Sequence, residues 1–270
     1  MTGPALQISR SQFPVTALGP GERLGVWVQG CPLACKGCMA RDTWAPDGGT
    51  EVPVAQLARD WRAALESGAH GLTVSGGEPL AQSEALRVFL ETARGIADDW
   101  HSEQTERTRR HIRRTEPEPD AMSPGEADFE FRPDILLYTG YELDELDPEQ
   151  RQAAACADVL VTGRYEAAQP TTLLWRGSAN QRMHLQTGLA RQRYAGFVDA
   201  RPDHPPIQIQ ADGEILWMVG VPRQGMLAAL DRTLREHGLG GQPASWRPGG
   251  AVADPDLQVT HRNPEPGGMT

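Results

Sequence analysis

Three cysteines stand close together in this chain and constrain its fold more than any other feature. Cys31, Cys35 and Cys38 have the spacing C-x3-C-x2-C and follow the segment RLGVWVQG, residues 23–30. Such a β-branched and aromatic segment predicts a buried strand that ends at Gly30. The three thiols are therefore expected on one loop at the carboxyl end of a strand.

Composition narrows the class of protein that carries this loop. A chain of 270 residues with 39% hydrophobic content can bury one substantial core. Its formal net charge of −10 argues against nucleic acid or an anionic membrane as a partner. The chain has no apolar run of membrane-spanning length and no signal-peptide pattern, so we expect a cytoplasmic protein. Thiols stay reduced there, and the clustered cysteines predict a metal site or catalysis rather than disulfides.

Strand and helix patterns alternate after the cysteine loop. The segment VPVAQLARDWRAALESG predicts a helix whose apolar face carries Leu57, Trp61, Ala64 and Leu65. GLTVSGGEPL, residues 71–80, predicts a strand that runs into a glycine turn, and SEALRVFLETARG predicts a second helix. This order predicts an α/β fold in which parallel strands are joined by right-handed crossovers.

The pattern changes at residues 94–133, which are polar, mixed in charge and rich in proline towards their end. We interpret them as an insertion that adds little to the core and is helical in its arginine-rich half. The basic run RTRRHIRR has no aromatic partners, so it indicates a solvated face rather than a nucleic-acid site. Strands return at 134–141 and 158–163, with a helix between them that starts at Asp147 and Pro148.

The C-terminal part has a different character. Residues 207–220, IQIQADGEILWMVG, contain two alternating strands around Asp212-Gly213, which predicts a β-hairpin. A last helix is expected to end at Gly238. We divide the chain into a core at 1–190, an extension with the hairpin and helix at 191–240, and a tail at 241–270 that is expected to be disordered.

Three clustered thiolates favour an iron–sulfur cluster over a structural zinc ion. A structural zinc site needs four ligands, so a zinc knuckle would require a distant fourth group such as His70 or His101. A 4Fe-4S cluster held by three thiolates leaves one iron open to a substrate or cofactor. Cys156 lies in the apolar helical context RQAAACADVLV and is interpreted as an inert buried thiol. We therefore expect one cluster per chain.

The loop resembles the signature of the radical S-adenosylmethionine enzymes, in which the open iron chelates the methionyl amine and carboxylate. SGGEP, residues 75–79, resembles the glycine-rich turn of the same superfamily. More narrowly, VQGCPLACKGCMARDTW looks like the cluster loop of the anaerobic ribonucleotide reductase activating enzymes. LLYTGYELDEL, DVLVTGRY and LLWRGSANQRMHL look like later segments of that family, in its order. Many members carry aspartate where Thr162 stands and asparagine where Ala40 stands.

This resemblance implies an incomplete, open parallel β/α barrel of the radical SAM type, with a polar insertion and a C-terminal β-hairpin plus helix. It also implies two cofactors, one 4Fe-4S cluster and S-adenosylmethionine. The implied cluster ligands are Cys31, Cys35 and Cys38. The implied cofactor contacts are Gly76, Gly77, Glu78, Pro79, Tyr138, Thr139 and Gly140, with further contacts from Gly37, Ser75, Asn180 and Gln181. No catalytic side chain is implied beyond the cluster and the cofactor.

The implied function is activation of a partner enzyme by glycyl radical formation, with an external electron donor such as flavodoxin or ferredoxin. A second possibility is radical modification of a peptide or small metabolite, which the insertion, the added hairpin and the two replaced residues favour. A third is a non-catalytic iron–sulfur or zinc module for electron transfer or binding. An electron carrier favours a fully ligated cluster, so the missing fourth cysteine argues against the third possibility. The SGGEP turn argues against it as well.

Overall fold

A computed structural model of the chain describes residues 3–115, 132–212 and 215–238. In this structure seven strands form one mixed sheet with the order β3-β1-β2-β4-β5-β6-β7. The strands are β1 Ala5–Val15, β2 Arg23–Val28, β3 Thr50–Pro53, β4 Gly71–Gly76, β5 Asp134–Tyr138, β6 Val159–Thr162 and β7 Arg182–Leu185.

The centre of the sheet is parallel and its flanks are antiparallel. β2, β4, β5 and β6 run parallel to one another, whereas β1 is antiparallel to both of its neighbours and β7 is antiparallel to β6. The predicted α/β class with a sheet rich in parallel strands is confirmed at this level. The flanking strands β1, β3 and β7 were not predicted. The central strands are buried along nearly their whole length, as strands covered on both faces must be.

The helices are α1 Val54–Glu66, α2 Ser83–Thr115, α3 Pro148–Ala154, α4 Gly188–Tyr194 and α5 Met226–Glu236. The predicted face of α1 is confirmed, since Leu57, Trp61, Ala64 and Leu65 are all buried. The predicted start of α3 is confirmed too, where Asp147 and Gln150 form a reciprocal capping box. Helix α4 was not predicted. Among the described helices, none is both long and apolar enough to cross a membrane.

Helix α2 corrects the expected boundary of the insertion at residue 94. The helix continues without a break from Ser83 to Thr115, so the arginine-rich stretch is helical as predicted. Its first part adds to the core, contrary to expectation. Ala97 is fully buried, and Ile96 and Trp100 pack against the main core cluster. Residues 116–131 of the predicted insertion lie outside the described residues.

The predicted hairpin is confirmed as a separate two-stranded sheet. It consists of β8 Ile207–Asp212 and β9 Ile215–Gly220, which pair antiparallel up to Asp212 and Ile215. The connecting residues 213–214 and the tail predicted at 241–270 lie outside the described residues.

At the amino ends of the parallel strands a charged network is buried in the core. Arg23 begins β2 and Asp134 begins β5, and in register between them lies Gly71 of β4. Arg23 and Asp134 have no exposed side-chain surface and their charged atoms lie 2.7 Å apart. A Cβ atom at position 71 would collide with the Arg23 guanidinium, so glycine is required for Arg23 to cross β4. Tyr194 and Arg193 of α4 also bond to the Asp134 carboxylate.

Candidate functional site

The opposite ends of the same four strands border one cavity of about 740 Å³. The loop after β2 contributes the three clustered cysteines to its lining, and the turn after β4 contributes Gly76, Gly77 and Glu78. Residues Thr139 and Gly140 follow β5, and Gly163 follows β6. The carboxyl ends of parallel strands are where open α/β sheets bind ligands. The structure thus places the sequence motifs at a single site.

Backbone hydrogen bonds close the cysteine loop at its base. Gly30 N–H donates to the Thr43 carbonyl at 2.8 Å and Cys31 N–H donates to the Trp44 carbonyl at 3.1 Å. Within the loop, Cys38 N–H donates to the Cys35 carbonyl at 3.1 Å. The ends of the loop are therefore fixed to each other.

The three thiols of the loop are free and partly buried, and all three line the cavity. Burial raises the pKa of the Cys31 and Cys38 thiols above the ordinary value, although backbone N–H groups of the loop oppose that shift. Metal binding takes the thiolate form, so a bound cation would have to displace these protons. Cys156 is only partly buried and lies in the turn after α3, so it does not sit in the helix where it was expected.

The turn after β4 packs directly onto the base of the cysteine loop. Gly77 N–H donates to the Val28 carbonyl at 2.8 Å, and Glu78 N–H donates to the Gly30 carbonyl at 2.9 Å. Gly76 has a φ of +109° and a Cβ there would lie 2.5 Å from the Val28 nitrogen. A Cβ on Gly77 would collide with the Gly30 carbonyl oxygen. The two glycines are needed for the backbones to approach this closely.

The Glu78 carboxylate links the ends of β4 and β5. One oxygen accepts from the Leu80 N–H at 2.9 Å and from the Thr139 hydroxyl at 2.8 Å. The other oxygen accepts from the Gly140 N–H at 2.7 Å. Glu78 is only 1% exposed. Burial raises its pKa to about 7, while the three donated hydrogen bonds act to lower it. The carboxylate can accept about four hydrogen bonds, so it retains capacity for one further donor.

The remaining predicted residues divide between those that line the cavity and those that do not. Gly37, Ser75, Tyr138 and Gln181 line it together with the residues already described. Pro79 and Asn180 are absent from the described lining. Pro79 is buried at the start of the 3-10 turn Pro79–Gln82, and the Asn180 side chain donates to the Arg164 carbonyl at 2.9 Å.

Two tryptophans also border the cavity. Trp44 and Trp175 both line it, although Trp175 is only 6% exposed and packs on Tyr194 and Phe197. Trp175 has a φ of +57°, which is rare for a bulky residue. Its carbonyl accepts a hydrogen bond from the Tyr138 hydroxyl at 3.2 Å. No periodic pattern in the sequence indicated this conformation.

Arg10 and Trp217 are cavity residues that sequence reasoning missed entirely. They lie on β1 and β9, one at each end of the described chain. The only signal for Trp217 was its place in the predicted hairpin, and Arg10 carried none because β1 itself was not predicted.

The donor set fits an iron–sulfur cluster better than a single metal ion. Within the described ranges, no group of three or more His, Cys, Asp or Glu side chains is placed to hold one metal ion. Neither His70 nor His101 belongs to the described lining of the cavity. His70 instead lies at the amino end of β4, where its Nδ1 accepts from the Glu22 N–H at 3.2 Å. A cluster spreads its three thiolates over three separate irons, and all three thiols of this loop line one cavity.

Comparison with known proteins also indicates an iron–sulfur cluster. The family described as "4Fe-4S single cluster domain" matches residues 17–105 and 125–184, which is more than half of the chain. A protein of Haemophilus influenzae named anaerobic ribonucleoside-triphosphate reductase-activating protein is 34% identical over 173 residues. The chain belongs to this family of activating proteins. The resemblance seen in the cysteine loop is thereby confirmed.

Other members of the activating-protein family are similar to this chain to about the same degree. The Escherichia coli K12 protein of that name is 30% identical over 177 residues, which cover 64% of this chain and 94% of the relative. The phage T4 protein of that name is 30% identical over 172 residues, covering 63% of this chain and 87% of the relative. The match to the Haemophilus protein covers 62% of this chain and 89% of that relative. About a third of this chain therefore lies outside the shared part, and the family match ends at residue 184.

Proposed function

We propose that this chain is a radical S-adenosylmethionine enzyme that activates a partner enzyme by forming a glycyl radical in it. The observation that carries the proposal is the meeting of three free thiols and the Gly76–Gly77–Glu78 turn at one cavity. The name shared by the relatives supports the activating role. We assign this reaction to the cytoplasm, where thiols stay reduced.

Cys31, Cys35 and Cys38 would hold one 4Fe-4S cluster at the cavity and leave one coordination position open. When bound there, the cluster and S-adenosylmethionine would supply one-electron reductive cleavage of the cofactor's sulfonium and, through it, removal of a hydrogen atom from the substrate. An external one-electron donor such as flavodoxin or ferredoxin is part of this proposal. Cys156 takes no part, because it lies outside the described cavity lining.

The protein's own groups would position the methionyl end of the cofactor. The Gly76-Gly77 backbone gives close access to the base of the cysteine loop, and the Glu78 carboxylate can accept one further hydrogen bond, such as that of an ammonium group. Thr139 and Gly140 fix that carboxylate in place. The apolar and aromatic walls would exclude water and other hydrogen donors from the reacting centre.

The proposal includes the finer description of the fold as an open radical SAM barrel. The parallel strands β2, β4, β5 and β6 would form its curved wall, and the cavity would be its mouth. The linear strand order, in which β3 and β7 stay at the two edges, supports an open rather than a closed arrangement.

An anaerobic cleavage assay tests the proposal. The protein is reconstituted with iron and sulfide, reduced with dithionite and mixed with S-adenosylmethionine, and 5′-deoxyadenosine is measured by chromatography. We expect product from the wild type and from Cys156→Ser, and none from the Cys31, Cys35, Cys38→Ala variant. Addition of a candidate glycyl radical partner should then give a glycyl radical signal in electron paramagnetic resonance. A fully loaded cluster that yields no 5′-deoxyadenosine would refute the radical chemistry.

A second candidate is radical modification of a peptide or small metabolite. The observation that favours it is the contribution of residues beyond 184, where the family match ends, to the lining of the cavity. The two candidates separate in the same assay. Formation of 5′-deoxyadenosine without a glycyl radical, together with a mass change in a peptide or metabolite, would favour the second candidate over the first.

A further inference from the structure

Two residues outside the family match meet beside the cysteine loop. The match begins at residue 17 and ends at residue 184. Arg10 lies before it on β1, and Trp217 lies after it on β9. The Arg10 guanidinium is nevertheless only 4.7 Å from the centroid of the Trp217 ring. The effect of this contact on the site is therefore an addition of this chain to the part that the family shares.

The hairpin that carries Trp217 is docked on the core by contacts of its own. The Gln208 side chain accepts a hydrogen bond from the Thr16 N–H at 2.9 Å and donates one to the Pro14 carbonyl at 2.9 Å. Val219 is buried and packs in an apolar cluster with Val15. Since these contacts do not involve Arg10, the Trp217 ring is presented to Arg10 from a strand that is already in place.

Arg10 lies between two indole rings. Its guanidinium is 5.2 Å from the ring centroid of Trp27 on β2, in addition to its contact with Trp217 on β9. Both distances lie within the range of cation–π attraction. The two rings belong to different sheets, so they hold the guanidinium at the junction of the hairpin with the central sheet.

The held guanidinium compensates the charge of Asp42. The two groups lie 3.6 Å apart, and the Asp42 side chain is only 11% exposed. Within the described ranges, no other cation lies within 4 Å of this carboxylate, and one of its oxygens is buried without a hydrogen bond. A nearly buried carboxylate is costly unless an opposite charge accompanies it. The position of Asp42 therefore depends on the position of Arg10.

Asp42 belongs to the segment that closes the cysteine loop. We call residues 41–45 the closing segment. Its carbonyl groups accept the Gly30 N–H at 2.8 Å and the Cys31 N–H at 3.1 Å. Two more of its carbonyls, one of them that of Asp42, accept from the Gln29 side-chain amide at 3.0 and 2.7 Å. Movement of Asp42 would therefore disturb the four hydrogen bonds that join the closing segment to the end of β2 and the first cysteine.

We propose that Arg10 is a positioning residue for the cysteine loop, and that the C-terminal hairpin stabilises the loop through it, in the order Trp217, Arg10, Asp42. The inference rests on the proposed function in one respect, since it takes the loop as the holder of the cluster. Loss of the Trp217 ring frees the guanidinium on one side and weakens its hold on Asp42. The closing segment then separates from β2 more often, and the loop releases its cluster more readily.

Hydrogen exchange in the metal-free, reduced protein tests the proposal without cluster or cofactor. Exchange is followed by mass spectrometry on peptides that cover residues 29–45, which include the loop and the closing segment. Peptides from β5 are the internal reference, because this strand is buried in the centre of the sheet and its exchange reports opening of the whole fold.

Trp217→Leu should raise the exchange rate of residues 29–45 roughly fivefold, the factor that corresponds to the loss of one cation–π contact. Trp217→Phe keeps an aromatic ring and should stay close to the wild type. Arg10→Met should raise the rate roughly tenfold or more, because it removes two such contacts and leaves Asp42 uncompensated. Arg10→Lys keeps the charge and should restore most of the protection. The rate in β5 should be the same in Trp217→Leu as in the wild type.

A double-mutant cycle separates this coupling from a general loss of packing. Asp42→Asn removes the charge that Arg10 compensates. In that background, Trp217→Leu should cause little further increase in the exchange of residues 29–45, since the connection is already broken. The proposal is overturned if the effects of the two substitutions multiply, if Trp217→Leu leaves the exchange of these residues unchanged, or if it raises the exchange of β5 by the same factor.

Arg62→Met is the matched control, because Arg62 also lies over a tryptophan, at 5.2 Å from the Trp100 centroid, but outside the described cavity lining. It should leave the exchange of residues 29–45 unchanged. After reconstitution, iron should pass to a chelator faster from Trp217→Leu than from the wild type, and equal rates would overturn the link to the cluster. A failure of S-adenosylmethionine cleavage would leave the exchange result untouched, so the two proposals fail separately.

Discussion

Gly77→Ala tests whether contact between the glycine turn and the cysteine loop holds the site together. A Cβ at position 77 would collide with the Gly30 carbonyl oxygen and lie 3.0 Å from the Thr43 carbonyl oxygen. Relief requires the turn to move away from the loop, which weakens the hydrogen bonds from Gly77 N–H to Val28 and from Glu78 N–H to Gly30.

The size of the effect follows from these contacts. Two weakened hydrogen bonds cost about 0.5–1.5 kcal/mol each, and the overpacking costs about 1–3 kcal/mol. We expect the free energy of unfolding of the metal-free protein to fall by about 2–6 kcal/mol, a large part of the about 5–15 kcal/mol that holds a domain folded. Urea unfolding followed by circular dichroism measures the change. Iron bound after reconstitution should fall in parallel.

Gly95→Ala is the matched control for this substitution. Gly95 is exposed in α2, and a Cβ there has nothing within 4 Å. Alanine should raise the free energy of unfolding by about 0.5–1 kcal/mol, because glycine is unfavourable inside a helix. The reasoning is refuted if Gly77→Ala unfolds within about 0.5 kcal/mol of the wild type, the range of ordinary surface substitutions, and binds the same amount of iron.

Three further predictions concern the charged and thiol groups. Asp134→Asn should lower the free energy of unfolding by about 3–5 kcal/mol, since it leaves the buried Arg23 cation unpaired. Burial acts to raise the pKa of Asp134, but pairing with Arg23 and Arg193 lowers it below 3.8. The extra stability of the wild type over Asp134→Asn should therefore be complete above that pH and be lost as the pH falls through the lower pKa of Asp134 in the folded protein. Urea unfolding at several pH values measures this difference. Glu78→Gln should lower the free energy of unfolding by about 1–3 kcal/mol in the same assay. Both Glu78 oxygens accept hydrogen bonds, so the NH2 group of glutamine would face a group that can only donate; an unchanged unfolding midpoint would contradict this hydrogen-bond assignment. Cys38→Ser should lose most of the iron bound after reconstitution, whereas Cys156→Ser should keep it, and equal loss in both would assign Cys156 a role at the site.

The position of the site could be predicted because each motif ends an apolar run. The cysteine loop follows β2, the glycine turn follows β4, and Thr139 and Gly140 follow β5. Parallel neighbours bring these ends to one edge, so local patterns were enough. The short edge strands could not be predicted in this way, since β3 and β7 contain only four residues each and carry no readable period.

The full length of helix α2 could have been predicted from the periodicity of its apolar residues, although its many charged residues argued against it. Phe89, Ala93, Ala97 and Trp100 continue one face of the helix at spacings of three and four residues, and the first three are fully buried. The many charged residues after Arg94 lie on the other faces and made this stretch read as an insertion. The periodicity of a few apolar positions was the better guide than the overall polarity of the stretch.

Pairings between distant residues had no signal in the sequence at all. Arg23 and Asp134 are 111 positions apart, and only the register of β2, β4 and β5 brings them together. The contact of Arg10 with Trp217 likewise depends on how the hairpin docks on β1. A single sequence shows which residues can be buried, but it does not show which buried charge meets which.

The two glycines of β4 explain why buried ion pairs hold one end of the sheet and backbone hydrogen bonds hold the other. Gly71 leaves room at the amino end for a side chain, the Arg23 guanidinium, whereas Gly76 leaves room at the carboxyl end for the backbone of β2. The amino end is thus tied by buried ion pairs, whose loss costs stability. The carboxyl end is tied by backbone hydrogen bonds and leaves its thiols free for a ligand. Substitutions at Asp134 should therefore change stability without changing the ligand set, and substitutions at Gly76 should disturb the approach of turn and loop on which that set depends.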